Sequence, residues 1–279
     1  MDAFTDFLST PAALAVAALW GAVWGSFFNV VIARLPHGQS IVRPASRCMA
    51  CGTPVRAWDN VPVLSYLWLR GKCRTCGAHF SARYPLVEAL TAVLAAAIFW
   101  KFAGADPGEV TAVRLGRFAL YFAWAGVLVV LAFIDLDTKR LPDIITIPGT
   151  ALFFVAAFAA HDVPWTERAI GIAVGYLVVR LIADFYYYVL HREGLGLGDG
   201  KLLAMIGAVM GWRAIPVVLF GASVVGSAIA IPFLLLSRRR GEAVPFGRMQ
   251  VPFGPFLALG ALIYLFAGRS IWAVLIPSG

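Results

Sequence analysis

Four cysteines form the most specific pattern of reactive side chains in this sequence. They lie in two Cys-x-x-Cys pairs that are separated by twenty-one residues, and the chain has no others: Cys48, Cys51, Cys73 and Cys76. Four thiolates at this spacing suit a tetrahedral zinc ion, because each short pair supplies two ligands without strain. Two disulfides are the alternative, but a cytoplasmic loop lies in a reducing compartment. The sequence therefore predicts a structural zinc site.

A second group of reactive residues lies in the octapeptide GLGLGDGK, Gly194 to Lys201. Its spacing fits neither a dinucleotide-binding loop nor a Walker A loop. What remains is a Gly-x-Gly-Asp motif that ends at Asp199. Because glycine permits backbone conformations and close approaches that other residues do not, we interpret Gly196 and Gly198 as a substrate loop around this aspartate. On this motif alone, an N-cap role for Asp199 stays open.

A second acid, Asp135, is the first charged residue after a long apolar segment. Ionisable groups at the edge of the apolar zone of a membrane are costly and tend to be functional. Two neighbouring carboxyl groups share a proton, so one can act as a base toward water while the other polarises a peptide carbonyl. Asp135 and Asp199 therefore predict aspartic-protease chemistry. The residues by themselves leave Asp137 and Asp143 open as alternatives to Asp135.

The elements that must position these groups are membrane helices. The 279 residues are 61% hydrophobic and 14% charged, with a mean hydropathy of +0.81. A helical crossing needs about 20 mostly apolar residues. Seven segments of the sequence meet this length, and a further segment, Leu202 to Gly211, is apolar but too short for a straight crossing. The predicted fold is an all-α polytopic membrane protein with about eight transmembrane helices, seven of them in clear apolar segments: 12–33, 85–103, 117–134, 144–160, 169–190, 214–236 and 251–268.

The distribution of charge predicts the orientation of these helices. The cysteine loop, Arg34 to Tyr84, carries eight Arg and Lys residues against one acid, so the positive-inside rule places it in the cytoplasm. If the short eighth segment crosses, Arg238 to Arg240 and Arg248 are cytoplasmic too, and both termini are external. Asp135 and Asp199 then lie at the cytoplasmic face. Because topology explains the net charge of +8, no nucleic-acid partner is predicted.

The order of the motifs along the chain, from Gly21 to Phe266, resembles that of the bacterial type IV prepilin peptidases. The cysteine pairs and the Gly-x-Gly-Asp motif are part of it. Asp135 is followed by a Leu-Pro pair that ends seven residues later, and this match selects Asp135 over Asp137. Three further stretches are similar to the family's: GSFFNVVIARLP (Gly25 to Pro36), RYPLVE (Arg83 to Glu88) and VPFGPFLALGA (Val251 to Ala261).

The resemblance implies a bifunctional enzyme of the bacterial inner membrane. Such enzymes cut the leader from prepilins and pseudopilins with two catalytic aspartates, here Asp135 and Asp199. They then methylate the new N-terminal residue with S-adenosylmethionine, and the resemblance assigns the cysteine loop to that step. No residues for the methyl donor are identified. The implied parts are a first transmembrane helix at 12–33, a cytoplasmic zinc-binding subdomain at 34–84 and a membrane-embedded peptidase domain at 85–279.

A different class of function is a non-enzymatic membrane scaffold or transporter whose zinc loop docks a partner. A transporter predicts charged residues deep inside several helices and an internal repeat. Here the deep charges are Arg180 and Asp184, which are spaced to pair with each other on one helix. No repeat is evident in the sequence, so the enzyme is the preferred prediction.

Overall fold

A computed structural model of the protein describes residues 3–104, 108–191, 196–239 and 252–275. Short turns of other helix types extend or connect the α-helices. The all-α prediction is confirmed. The described residues form ten α-helices: α1 (Ala3–Leu8), α2 (Pro11–Arg34), α3 (Leu64–Trp68), α4 (Arg83–Phe99), α5 (Thr111–Thr138), α6 (Asp143–Ala156), α7 (Trp165–Leu190), α8 (Leu197–Met210), α9 (Ala214–Arg239) and α10 (Gly254–Leu275).

Six helical segments of the described chain are long and apolar enough to cross a membrane. The apolar stretch Gly254–Gly268 is shorter, and α8 has 14 residues. The total of eight crossings and their orientation therefore stay predictions. Arg192, Arg240 and Arg248, which bear on the orientation, lie outside the described residues. The six segments are Pro11–His37, Arg83–Gly104, Thr111–Thr138, Asp143–Ala160, Trp165–Val189 and Ala214–Pro232.

Helix α5 begins at Thr111, earlier than the apolar segment predicted at 117–134. The predicted segment left out Arg114, and a charge in lipid is costly. Arg114 is nevertheless fully buried, and its Nε donates to the carbonyl oxygen of Ala103 at 2.8 Å. This carbonyl lies in the last turn of the preceding helical segment, where a cation is favourable. Arg117 is 2.7 Å from Glu109.

The chain divides into two compact units, Met1–Val130 and Leu131–Gly279, with the boundary inside α5. In the first unit, α2 packs closely on α4 through Gly21 and Gly25. A Cβ at Gly21 would lie 2.5 Å from the Cβ of Ala95. Glycines spaced in this way let two membrane helices approach at backbone distance. The domain bounds predicted from the sequence differ from this division and stay a prediction.

In the second unit, α7 and α8 also pack backbone against backbone. A Cβ at Gly171 would lie 2.7 Å from the carbonyl oxygen of Gly207, and one at Gly175 would lie 2.7 Å from that of Leu203. Every residue of α8 from Leu202 to Met210 is buried. This packing fixes the helix that carries Asp199.

The pair of charges predicted on α7 is confirmed. Arg180 Nε donates to Asp184 Oδ2 at 2.8 Å, across one turn of the helix. Both side chains are exposed in part, so the pair contributes little to stability.

Candidate active site

Asp135 lies in the last turn of α5 and is buried, with 4% of its surface exposed. The helix ends where Lys139 adopts a left-handed conformation, with φ at 53°. The N–H group of Lys139 donates to the carbonyl oxygen of Asp135 at 2.8 Å. This is the usual closure of a helix C-terminus. The helix therefore ends within one turn of the aspartate.

Asp199 is the third residue of α8 and is also buried, with 9% exposed. Its N–H group donates to the carbonyl oxygen of Gly196 at 3.0 Å. The N-cap of α8 is Gly196 and not Asp199. The side chain of Asp199 is therefore not used as a cap, which leaves its carboxyl group for another role.

The two carboxyl groups are close enough for the charge of Asp135 to act on Asp199. The N–H group of Gly254, at the start of α10, donates to Asp135 Oδ2 at 2.9 Å. This hydrogen bond is buried and fixes one oxygen of the carboxyl group. Burial and proximity together disfavour a second negative charge, so the pair can hold one proton between them.

The two glycines of the predicted substrate loop supply space rather than an unusual backbone. Gly196 has φ at −71°, which any residue can adopt. A Cβ at Gly196 would lie 3.4 Å from Asp199 Oδ2, and one at Gly198 would lie 3.2 Å from the Cβ of Leu141. A side chain at Gly198 would therefore crowd the segment that follows α5, whereas a Cβ at Gly196 would only touch Asp199. Gly194, the first residue of the octapeptide, lies outside the described residues.

The two alternatives to Asp135 occupy other places. Asp137 is exposed on α5. Asp143 is the first residue of α6, and its Oδ1 is 2.6 Å from Lys201 Nζ, an ion pair that ties α6 to α8. Asp135 is the acid whose charge acts on Asp199.

Sequence reasoning did not give Gly254 a role. It lies in the stretch VPFGPFLALGA, which entered only as part of the family resemblance. Gly254 is 119 residues from Asp135, and a pattern read along the chain carries no signal for such a contact.

The four cysteines come together as predicted. Their Sγ atoms all lie within 4.8 Å of one another, and those of Cys48 and Cys76 are 3.8 Å apart. Zinc–sulfur bonds of about 2.3 Å in a tetrahedron place the sulfurs about 3.8 Å apart. The cluster therefore has the composition and the dimensions that suit zinc.

Each Cys-x-x-Cys pair is closed by the same backbone turn. The N–H of Gly52 donates to the carbonyl of Cys48 at 2.8 Å, and that of Gly77 to the carbonyl of Cys73 at 2.9 Å. Both glycines have φ at 71°, a left-handed conformation that favours glycine. Hydrogen bonding from Thr53 lowers the pKa of Cys51 to about 6. This shift favours the thiolate, the form that binds a metal.

An ion pair braces the second cysteine pair against the middle of the cysteine loop. The guanidinium of Arg74 donates to both carboxylate oxygens of Asp59, at 2.6 to 3.1 Å. Arg74 also holds the pKa of Asp59 below its usual range. The only acid of the cysteine loop is thus used to hold the loop together.

Comparison with known proteins identifies the family. The chain matches the model of the Bacterial Peptidase A24 N-terminal domain over residues 19–102 and that of the Type IV leader peptidase family over residues 122–231. A protein of Aeromonas hydrophila is 40% identical across 91% of this chain and 90% of its own. A protein of Pseudomonas putida is 35% identical over 93% of this chain and 92% of the relative's length. A protein of Dichelobacter nodosus is 36% identical over 95% of this chain and 96% of the relative's length. The chain belongs to the type IV leader peptidase family.

All three relatives are named prepilin leader peptidase/N-methyltransferase. No solved structure matches the chain significantly. The four cysteines lie in the region matched by the N-terminal model, and both aspartates lie in the region matched by the leader peptidase model. Gly254 lies beyond both regions, so its contact with Asp135 is a feature that only the fold reveals.

Proposed function

We propose that this protein cleaves the leader peptide from prepilins and pseudopilins and then methylates the new N-terminal residue. The observation that carries the cleavage is the buried pair Asp135 and Asp199, brought together from α5 and α8. Relatives that cover nine-tenths of the chain and are named for both activities support the assignment of substrate and of methyl transfer.

For cleavage, Asp135 and Asp199 act on one water molecule and one peptide bond. The ionised carboxylate takes a proton from the water, whose oxygen attacks the carbonyl carbon, while the protonated partner hydrogen-bonds the carbonyl oxygen. The tetrahedral intermediate then collapses as the pair returns a proton to the leaving amine. The N–H of Gly254 donates to Oδ2 of Asp135, so Oδ1 is the oxygen proposed to accept and return the proton. Gly196 and Gly198 leave room for the extended substrate.

For methylation, the cysteine loop is the proposed element, with zinc at Cys48, Cys51, Cys73 and Cys76. The four thiolates would complete the coordination of a zinc ion, so a bound ion would hold the loop in shape and would leave no position for a substrate. S-adenosylmethionine is the methyl donor implied by the names of the relatives. The residues that bind it are not assigned.

The proposed location is the bacterial inner membrane, with the cysteine loop and the two aspartates at the cytoplasmic face and the termini outside. The excess of Arg and Lys in the cysteine loop supports this orientation. The lipid bilayer and the pilin precursors are the proposed partners. The alternative, a scaffold or transporter, is not favoured, because the relatives are named as enzymes.

The function is tested by incubating the purified protein in detergent with a prepilin and S-adenosylmethionine. We expect a new N-terminus at the leader junction and a mass increase of one methyl group on the mature chain. Intact prepilin after prolonged incubation with folded protein would contradict the peptidase assignment. Cleaved but unmethylated product would contradict the transferase assignment.

The contact between Gly254 and Asp135 gives a further prediction. In Gly254→Ala, the new Cβ would lie 2.8 Å from Asp135 Oδ2 and 3.2 Å from its Cγ, so the carboxyl group must move. A misplacement of about 1 Å can cost a catalytic group about 100-fold in rate. We expect leader cleavage to fall by about that factor while the protein stays folded.

The matched control is Gly221→Ala on α9, where an added Cβ has no neighbour within 4 Å. This variant should cleave at the wild-type rate. Equal rates for Gly254→Ala and Gly221→Ala would show that Asp135 does not depend on the contact with Gly254.

A further inference from the structure

One turn of the cysteine loop holds a branched side chain in a strained conformation. Val63 has φ at 61° and ψ at −50°, and the N–H of Leu64 donates to the carbonyl of Pro62 at 2.6 Å. This hydrogen bond between residues two apart defines a γ-turn of the rare form with positive φ. A β-branched residue is strongly disfavoured there. Such strain persists only where the surrounding structure imposes it, and it is often found at functional sites.

The group that holds this turn is a buried acid of a membrane helix. Glu88 is in α4, is 9% exposed, and accepts the N–H of Val63 on Oε2 at 2.7 Å. The hydroxyl of Ser26 is a second hydrogen-bond partner of the same carboxyl group. A hydrogen bond to a buried carboxylate is among the strong ones, and removing the acceptor leaves a backbone donor without a partner.

The strained turn is connected by backbone hydrogen bonds to the second cysteine pair. Helix α3 begins directly after Val63. At its other end the N–H of Gly71 donates to the carbonyl of Tyr66 at 2.9 Å, and the N–H of Lys72 to that of Leu69 at 3.0 Å. Lys72 precedes Cys73. The segment LRGK, Leu69 to Lys72, is thus attached to the strained turn through one short helix.

We propose that Glu88 is a positioning residue for methyl transfer. By holding the γ-turn at Val63, it sets the position of α3, and through α3 that of the segment Leu69 to Lys72, relative to α4. The inference rests on the proposed methyltransferase function of the cysteine loop. A role for Glu88 as a base is disfavoured by the geometry, because its carboxyl group already accepts hydrogen bonds from Val63 and Ser26.

The test uses full-length protein and a mature pilin peptide supplied already cut, with S-adenosylmethionine. Glu88→Ala removes the acceptor, and we expect methylation to fall by about tenfold or more, as for the loss of a hydrogen bond to a charged group. Glu88→Gln keeps a carbonyl oxygen that can accept from Val63, and we expect it to stay within about threefold of wild type. Leader cleavage by the same preparations is the control for folding.

A second pair of variants tests whether strain is what Glu88 opposes. Glycine adopts a positive φ readily, so Val63→Gly in the Glu88→Ala background should restore most of the lost methylation. The matched control is Val61→Gly in the same background. Val61 has φ at −69°, so glycine there relieves no strain and should restore nothing.

Three outcomes would overturn the proposal while the wild type methylates normally. They are full methylation by Glu88→Ala, equal loss in Glu88→Gln and Glu88→Ala, and no rescue by Val63→Gly. If Glu88→Ala fails to fold, the rescue by Val63→Gly decides, because restored folding and methylation support the proposal and their absence contradicts it. A wild type that does not methylate the cut peptide would instead contradict the proposed function.

Discussion

Replacing Asp135 or Asp199 by asparagine is expected to lower leader cleavage by about 10²- to 10⁴-fold, the usual contribution of a general acid or base. An amide has nearly the shape of the carboxyl group but can neither take the proton from water nor return it to the amine. Because each residue acts on the same water and peptide bond, the double variant should be little worse than either single one. Cleavage is measured as the initial rate on a prepilin, with the amount of folded protein matched.

Asp137→Asn is the matched control, since Asp137 lies on the same helix two residues away but is exposed. It should cleave at a rate close to wild type. Full activity in either Asp135→Asn or Asp199→Asn would contradict the two-aspartate assignment. A loss in Asp137→Asn equal to that in Asp135→Asn would instead point to the end of α5 as a whole.

The second large effect is expected for the metal cluster. Cys48→Ser should lower bound zinc from about one ion per chain to a small fraction, because a structural site needs all four thiolates. Methylation of a cut peptide should be lost with it, while leader cleavage continues. Asp135→Asn should give the reverse, a protein that cannot cleave but still methylates the cut peptide. Elemental analysis and mass spectrometry of both substrates give the three measurements.

His79→Ala is the control for Cys48→Ser, since His79 is in the same loop but is not part of the cysteine cluster. It should keep both zinc and methylation. Full zinc content in Cys48→Ser would contradict the cluster as the metal site. Loss of cleavage together with methylation in a folded, zinc-free protein would contradict the independence of the two activities.

In the cysteine cluster and in the aspartate pair, the positions that follow from short local patterns could be predicted from the sequence. The two Cys-x-x-Cys pairs predicted a cluster, and the four sulfurs do lie within 4.8 Å of one another. The charge of Asp135 directly after an apolar run predicted a place at the edge of a membrane helix, and Asp135 lies in the last turn of α5. In each case a local pattern, either ligand spacing or the boundary of a hydrophobic segment, determines the position.

The groups that hold these residues could not be predicted, because each makes its contact across a long stretch of chain. Gly254 donates to Asp135 from 119 residues away, and Glu88 accepts from Val63 across 25. The turn at Val63 carries no glycine or asparagine that would indicate a positive φ. The early start of α5 was missed for a similar reason, since Arg114 donates to the carbonyl of Ala103, which belongs to the preceding helical segment.

Helix α8 is shorter than a bilayer is thick. Its 14 residues rise about 21 Å, whereas the hydrocarbon core of a bilayer is about 30 Å thick. A helix facing lipid would meet this mismatch by thinning the bilayer around it. Because α8 is buried in protein, it does not have to match the lipid, and at least one of its ends can lie below the membrane surface. Asp199, near the N-terminus of α8, can then meet water and a peptide without either having to enter the hydrocarbon core.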